Sequence, residues 1–204
     1  MALAGRSSPT QGTLVRLRTS LAFIQNAMSV LKLKRDRLAE ELTMLLKETS
    51  RRDRAEERLV EVYAGYKTML ASLGHSKVHS VSHSTGKMIV EIKERSIMNV
   101  NVPVMVLKEK ASTSVIQDAS LFQVAEKTEP VIEEWLNIAT IEASIERVAY
   151  ELTLVNRKVN AIEKVVIPSY QTQVKYIEDY LADEELEDFT RIKHLKSVLR
   201  EEKT

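Results

Sequence analysis

The sequence predicts a mainly α protein: a long antiparallel two-helix coiled coil with a small middle region that contains a β-hairpin. Three observations predict it. Two long stretches carry apolar residues in three-four alternation, the segment between them alternates β-branched residues instead, and helix breakers are scarce, with 5 Gly and 4 Pro in 204 residues. Phe, Tyr and Trp make only 5% of the chain, too few of the large rings that fill a thick, round core.

Residues 1–9 are expected to form a flexible N-terminus. A first coiled-coil helix is predicted over 10–73, with Thr10 after Pro9 as its N-cap. Its seam reads Leu14, Leu17, Leu21, Ile24, Met28, Leu31, Arg35, Leu38, Leu42 and Leu45, with Arg35 as the one polar member. A sustained three-four alternation keeps one stripe turned toward a partner helix. No Gly or Pro occurs between Thr13 and Ala64, so the helix is expected to run on unbroken. The register loses its apolar residues over Glu48–Arg58 and regains them at Leu59, Tyr63, Tyr66, Leu70 and Leu73.

The middle region, 74–127, follows other rules. From Gly74 to Gly86 it is Ser-rich and reads as loop. Alternation at Val100, Val102 and Val104 predicts short strands, a hairpin at about 88–107, with Pro103 confining its strand to an edge. A short helix is expected before the region ends.

The second coiled-coil helix is predicted over 128–204, with Thr128 as N-cap and Pro130 in the first turn. Its seam is Ile138, Ile141, Ile145, Val148, Leu152, Val155, Val159, Ile162 and Val166, all apolar and mostly β-branched. Pro168 is expected to kink or loosen the helix. Two seams of similar length around one connection can fold back as an antiparallel pair, a rod on the order of 100 Å long.

Composition excludes several functions. Thirty basic against 29 acidic residues leave a formal charge of +1, no basis for wholesale nucleic-acid binding. There is no Cys, hence no disulfide framework or thiolate metal site. No apolar run approaches the ~20 residues of a membrane span, and Met1–Thr10 lacks the apolar core of a signal peptide. Phosphate-loop, serine-elbow and zinc-protease motifs are missing, so neither catalytic residues nor a cofactor site are expected. His75, His79 and His83, spaced by four, would line one face of a helix and could ligate zinc; in a stretch that reads as loop they are expected to be solvated, and no metal is assigned. Glu133-Glu134 and Asp183-Glu184-Glu185 read as helix-surface charge.

Basic residues gather toward both termini: Arg6, Arg16, Arg18, Lys32, Lys34, Arg35 and Arg37 in the first forty residues, and Arg191, Lys193, Lys196 and Arg200 after the acidic run. Antiparallel pairing would bring both groups to one end, either as solvated surface or as an electrostatic match to a protein collar.

Three blocks carry a resemblance to a known family. They are Ser8-Pro9-Thr10 with Leu14-Val15-Arg16-Leu17-Arg18 and Leu31-Lys32-Leu33-Lys34-Arg35-Asp36; Ile97-Met98-Asn99-Val100-Asn101-Val102-Pro103; and Asn156-Arg157-Lys158-Val159-Asn160-Ala161-Ile162-Glu163-Lys164-Val165-Val166-Ile167-Pro168, followed by Tyr176-Ile177 and Arg191-Ile192-Lys193. In this order they span the chain, which resembles the D subunit of the V-type and A-type rotary ATPases. The chain departs from the family pattern at Asn26-Ala27 and Leu154-Val155-Asn156, so individual contact residues are not carried over.

The resemblance implies a rotor shaft on the cytoplasmic face of the membrane, one copy per complex and without membrane insertion. Its partners would be the A/B catalytic hexamer, the F subunit and the socket subunit on the membrane ring. Arg16, Arg18, Arg191 and Lys193 are then the candidates to face the stator. A non-rotary coiled-coil scaffold, including a homodimer, competes with this reading, as does a metal-dependent protein built on the three histidines.

Overall fold

In a computed structural model of the chain, residues 8–201 are described, with side chains as far as Ser197. Residues 1–7 of the expected flexible terminus, Arg6 among them, lie outside the described residues, as does the side chain of Arg200. The order of elements is α1 (Gln11–Glu48), α2 (Arg51–Leu73), α3 (His75–Ser84), β1 (Ile89–Ile97), β2 (Val100–Glu109), α4 (Ala119–Ala161), a π turn (Ile162–Val166) and α5 (Ile167–Glu201). The chain divides into two compact units.

The first unit joins residues up to Arg35 with those from Leu154 onward. Thr10 starts α1: its hydroxyl accepts from the Thr13 N–H at 3.2 Å, and its carbonyl accepts from the Leu14 N–H at 3.0 Å. Two ion pairs fix the relative direction of the helices. Arg18 meets Glu178 and Lys32 meets Glu163, both at 2.7 Å. The partner number falls as the α1 number rises, so α1 runs antiparallel to the segment it faces.

The π turn is where the expected effect of Pro168 becomes concrete. The Ile167 N–H reaches back to the Ile162 carbonyl, one residue further than an α-helix allows. A proline clashes with the carbonyl four residues earlier, here that of Lys164, and the widened turn gives it room. The turn also accommodates one extra residue. The inward positions are Val155 and Val159 before it, Ile162 and Val166 at its two ends, and Tyr170, Val174, Ile177 and Leu181 after it, while Tyr176 and Tyr180 point outward.

The second unit, Asp36–Thr153, contains α2, α3 and the hairpin. The helix expected to run unbroken stops at Thr49-Ser50. Neither Gly nor Pro is responsible. The Thr49 hydroxyl donates to the Leu45 carbonyl at 3.3 Å and the Ser50 hydroxyl to that of Lys47 at 2.9 Å, while the main chain tightens to three-residue bonds, Thr49 N–H to Leu46 and Arg52 N–H to Thr49. Hydroxyl bonds of this kind also occur inside unbroken α1, at Ser29 and Thr43, so what sets the break apart is the three-residue main-chain bonding. Beyond the break the inward stripe reads Ala55, Val62, Tyr66, Met69 and Leu73, turned by roughly 50°, half a residue step. Leu59 and Tyr63, expected inside, are exposed. The Lys67 ammonium covers the Tyr63 ring, 4.7 Å from its centroid, a cation–π contact.

The Ser-rich stretch expected as loop is helical from His75 to Ser84. Gly74, at φ 76°, breaks the chain direction between α2 and α3. What makes α3 a helix is tertiary: Val78 is buried with Met69 and Leu121, against Tyr66, Leu70, Val81 and Ile116. Packing of one apolar side overrides weak propensity.

β1 and β2 pair antiparallel, with Ile97 opposite Val100. Met98 and Asn99 form the two-residue turn, both with positive φ (51° and 66°), the mirror-image geometry that matches strand twist. Val102 is 1% exposed. The Met105 N–H donates away from β1, to Thr140 Oγ1 on α4 at 3.0 Å. Pro103, two residues earlier, has the same outward orientation, so its missing N–H costs no ladder bond.

The next helix begins at Ala119, nine residues before the expected Thr128. Asp118 is its cap: the Asp118 carboxylate accepts from the Ser120 N–H at 3.1 Å and its carbonyl from the Phe122 N–H at 2.9 Å. Pro130 therefore sits inside α4. Arg52 with Glu142 (2.7 Å) and Arg58 with Glu134 (2.9 Å) show α2 and α4 antiparallel.

Candidate functional site

Two kinds of surface can carry a role here: the one the helices keep inside and the one they show. The inner surface comes first. Leu14, Leu17, Leu21, Ile24, Met28 and Leu31 are half-buried along α1, in the first unit; Val155 and Val159 are buried there, Ile162 and Val166 half-buried. In the second unit Leu38, Ile138 and Val148 are buried, and Leu42, Leu45, Ile141, Ile145 and Leu152 half-buried. The β-branched residues among these, such as Ile138, Val148, Val155 and Val159, have few rotamers to lose.

The outer surface of the first unit is apolar to an unusual degree. Val15, Phe23, Val30 and Leu33 are each more than 60% exposed, and helical geometry puts them within an arc of about 80°. Every α5 residue from Ala182 to Ser197 is exposed, and that run includes Leu186 (67%), Phe189 (69%), Ile192 (64%) and Leu195 (61%). Apolar area of this extent, rimmed by charge, marks an interaction surface. The four basic residues proposed to face outward, Arg16, Arg18, Arg191 and Lys193, are all exposed. Arg18 is held by Glu178, and Arg191 reaches Glu187 and Asp188 on its own helix at 3.3 and 3.7 Å. All four lie in the first unit, and two of them carry intramolecular partners.

The titratable groups of the second unit serve structure. Lys110 bridges Glu129 and Glu133 at 2.5 and 2.9 Å, and those carboxylates hold its ammonium well above the usual lysine range. Lys77 beside Asp118, at 2.8 Å, keeps that carboxyl below its ordinary value. His75 and His79 stack at 5.8 Å between ring centroids, and His79 meets His83 edge-on at 4.6 Å. So the histidines are helical neighbours, not loop residues, but His75 and His83 are ~12 Å apart along the axis and cannot share an ion. Among the described residues no group of three or more His, Asp or Glu is placed to hold a metal. A cavity of about 270 Å³ is lined by Met69, Val78, Val81, Met88, Leu121 and Ile132. Its one carboxylate, Glu129, is already tied to Lys110, so it holds no acid–base pair.

The model of the ATP synthase D-subunit family matches residues 13–197. The chain belongs to the ATP synthase D-subunit family. It is 30% identical to the A-type ATP synthase D subunit of Methanopyrus kandleri over 96% of this chain and 88% of that protein. The D subunit of Pyrococcus horikoshii is also 30% identical, over 94% of each chain, and that of Methanobrevibacter smithii 30% over 94% of this chain and 87% of its own. This makes the chain a subunit of a rotary ATPase of the A type. No described helix is long and apolar enough to cross a membrane.

The helix faces of this D subunit are its candidate site. Sequence reasoning missed several of their fixings. Asp118 was legible as a cap, being an acidic residue just ahead of Ala-Ser-Leu-Phe. The Lys110 bridge and the Arg52–Glu142 and Arg58–Glu134 pairs were not, because they join residues far apart in the chain.

Proposed function

We propose that this D subunit is the central rotor shaft of its ATPase, coupling ATP hydrolysis or synthesis at the A/B hexamer to ion translocation through the membrane ring, and that it carries no catalytic site itself. The observation that carries the reading is the bare end of α5. A helix that leaves Leu186, Phe189, Ile192 and Leu195 in water forgoes about 1.5–3 kcal/mol for each side chain that a partner would bury. A sleeve of apolar residues inside a hexamer is such a partner.

The mechanical step follows from symmetry. A pair of helices has no threefold axis, so three equivalent catalytic interfaces around it each meet a different face. Each is biased to a different nucleotide affinity by the contacts it makes, and turning the pair passes those affinities from one interface to the next. The F subunit would bind at the side of the shaft and the socket subunit would receive it at the membrane ring, on the cytoplasmic face, with one copy per complex.

Native mass spectrometry of the chain mixed with the A, B and F subunits of its source tests this. The expected species contains three A, three B and one each of this chain and F. A stable homodimer that fails to enter the hexamer would replace the shaft by a coiled-coil scaffold.

A further inference from the structure

We propose that the π turn Ile162–Val166 is a phase-setting element: it inserts one residue into the inward stripe, and so decides which face of α5 is kept inside and which is shown. Three observations meet at this turn. The stripe that runs into it, Val155 and Val159 with Ile162 and Val166 at its two ends, would continue in three-four alternation to Ser169, Gln173, Tyr176 and Tyr180. The structure instead places Tyr170, Val174, Ile177 and Leu181 inside, each one residue later, with Ile177 only 2% exposed and Tyr176 65% exposed; of the other set Gln173 alone is half-buried. Where one phase gives way to the other lies the one segment with five-residue hydrogen bonding among the described residues, closed by the Ile167 N–H on the Ile162 carbonyl.

One extra residue is a turn of about 100°, and 100° is the rotation that separates the two sets. The later set is also the more apolar, with Tyr, Val, Ile and Leu where the other has Ser, Gln and two tyrosines. Burial of those side chains therefore holds the turn in place, and Pro168 only favours its position. The turn is pinned to α1 as well, because Glu163 within it pairs with Lys32 at 2.7 Å. Its outward product is a pair of tyrosines one helical turn apart, Tyr176 and Tyr180, both exposed. None of this rests on the rotor reading.

The chain has no Cys, so single cysteines report the phase directly. Tyr176→Cys and Ile177→Cys are introduced separately into the full chain, and their labelling by a soluble maleimide is timed. Position 176 is expected to label more than about tenfold faster than 177; the reverse order overturns the proposal. Repeating this with Pro168→Ala separates burial from proline as the cause. Continued protection of 177 is expected, whereas transfer of protection to 176 would make the proline the cause and overturn the assignment.

Deleting Lys164 together with Pro168→Ala is the complementary test, since it removes the extra residue and the ring that would clash in a regular helix. Ile162, Ile167, Tyr170, Val174, Ile177 and Leu181 then fall into unbroken alternation, and melting within a few degrees of the parent is expected. If the stripe is not phased by the turn, the deletion swings Ile177 outward, with its thiol labelled in the Ile177→Cys form and melting lowered by on the order of 10 °C.

Discussion

Val159, in α4, is 2% exposed, and Val165, six residues on in the π turn, is 65% exposed. Asp at each position compares the same substitution at a buried and an exposed place. At Val159 the change gives up the transfer of a buried Val side chain, about 2 kcal/mol. It also leaves a carboxyl that must be neutral or drag water inward. Holding it neutral at pH 7 against an ordinary value of about 3.9 costs about 4 kcal/mol, an upper bound that relaxation reduces. The expected loss is thus about 4–6 kcal/mol, and at about 2–4 °C per kcal/mol for a chain of this size the melting temperature falls by on the order of 10–20 °C. Val165→Asp is expected within about 0.5 kcal/mol of the parent. Thermal unfolding followed by circular dichroism at 222 nm reads both, and in the assembled ATPase Val159→Asp is expected to break the link between ATP turnover and rotation. Coincident melting of the two variants, or Val159→Asp melting with the parent, would refute the seam as drawn.

Other outcomes follow from single features. Met98 carries a φ of 51° in the hairpin turn, where a Cβ costs about 1–2 kcal/mol; Met98→Gly is expected to slow amide exchange in β1 and β2 by about 1 kcal/mol of protection. Gly74 has open space around it but a φ of 76°, so Gly74→Ala is expected to cost about 1 kcal/mol or more through the backbone alone, read as a lower urea midpoint. Lys32 beside Glu163 holds that carboxyl below its ordinary 4.5. A depressed carboxylate stabilises above its unfolded value and loses that contribution as pH falls through the folded one, so below about pH 4.5 the parent is expected to lose melting temperature faster than Glu163→Gln. Leu186→Ser with Phe189→Ser touches two exposed side chains and is expected to leave melting unchanged while weakening entry into the A/B hexamer, measured by native mass spectrometry.

Which parts of the fold could be read in the sequence depended on how far apart the deciding residues lay. The two stripes were legible because three-four alternation is written in neighbouring residues, as at Leu14–Leu31 and Ile138–Val166. The hairpin was legible from Val100, Val102 and Val104, although not its turn, since Met98-Asn99 lacks the glycine that usually announces positive φ. α3 was hidden because His-Ser-Lys-Val-His-Ser-Val-Ser-His-Ser becomes a helix only when Val78 meets Met69 and Leu121. The break at Thr49-Ser50 was hidden because neither Gly nor Pro marks it; it shows only as three-residue main-chain bonding at Thr49 and Arg52. As for the surface, exposure of Phe23 or Phe189 is a statement about what the fold leaves uncovered, and no local pattern records it.

The interruption at Thr49-Ser50 has a consequence for how substitutions along α2 will be tolerated. A profile of fitness against position, folded on a single seven-residue frame taken from Leu38 and Leu45, would assign intolerance to Leu59 and freedom to Ala55. The geometry assigns the opposite: Ala55, at 0% exposure, has no room for a larger residue, while Leu59, at 42%, can become Lys or Glu with little effect.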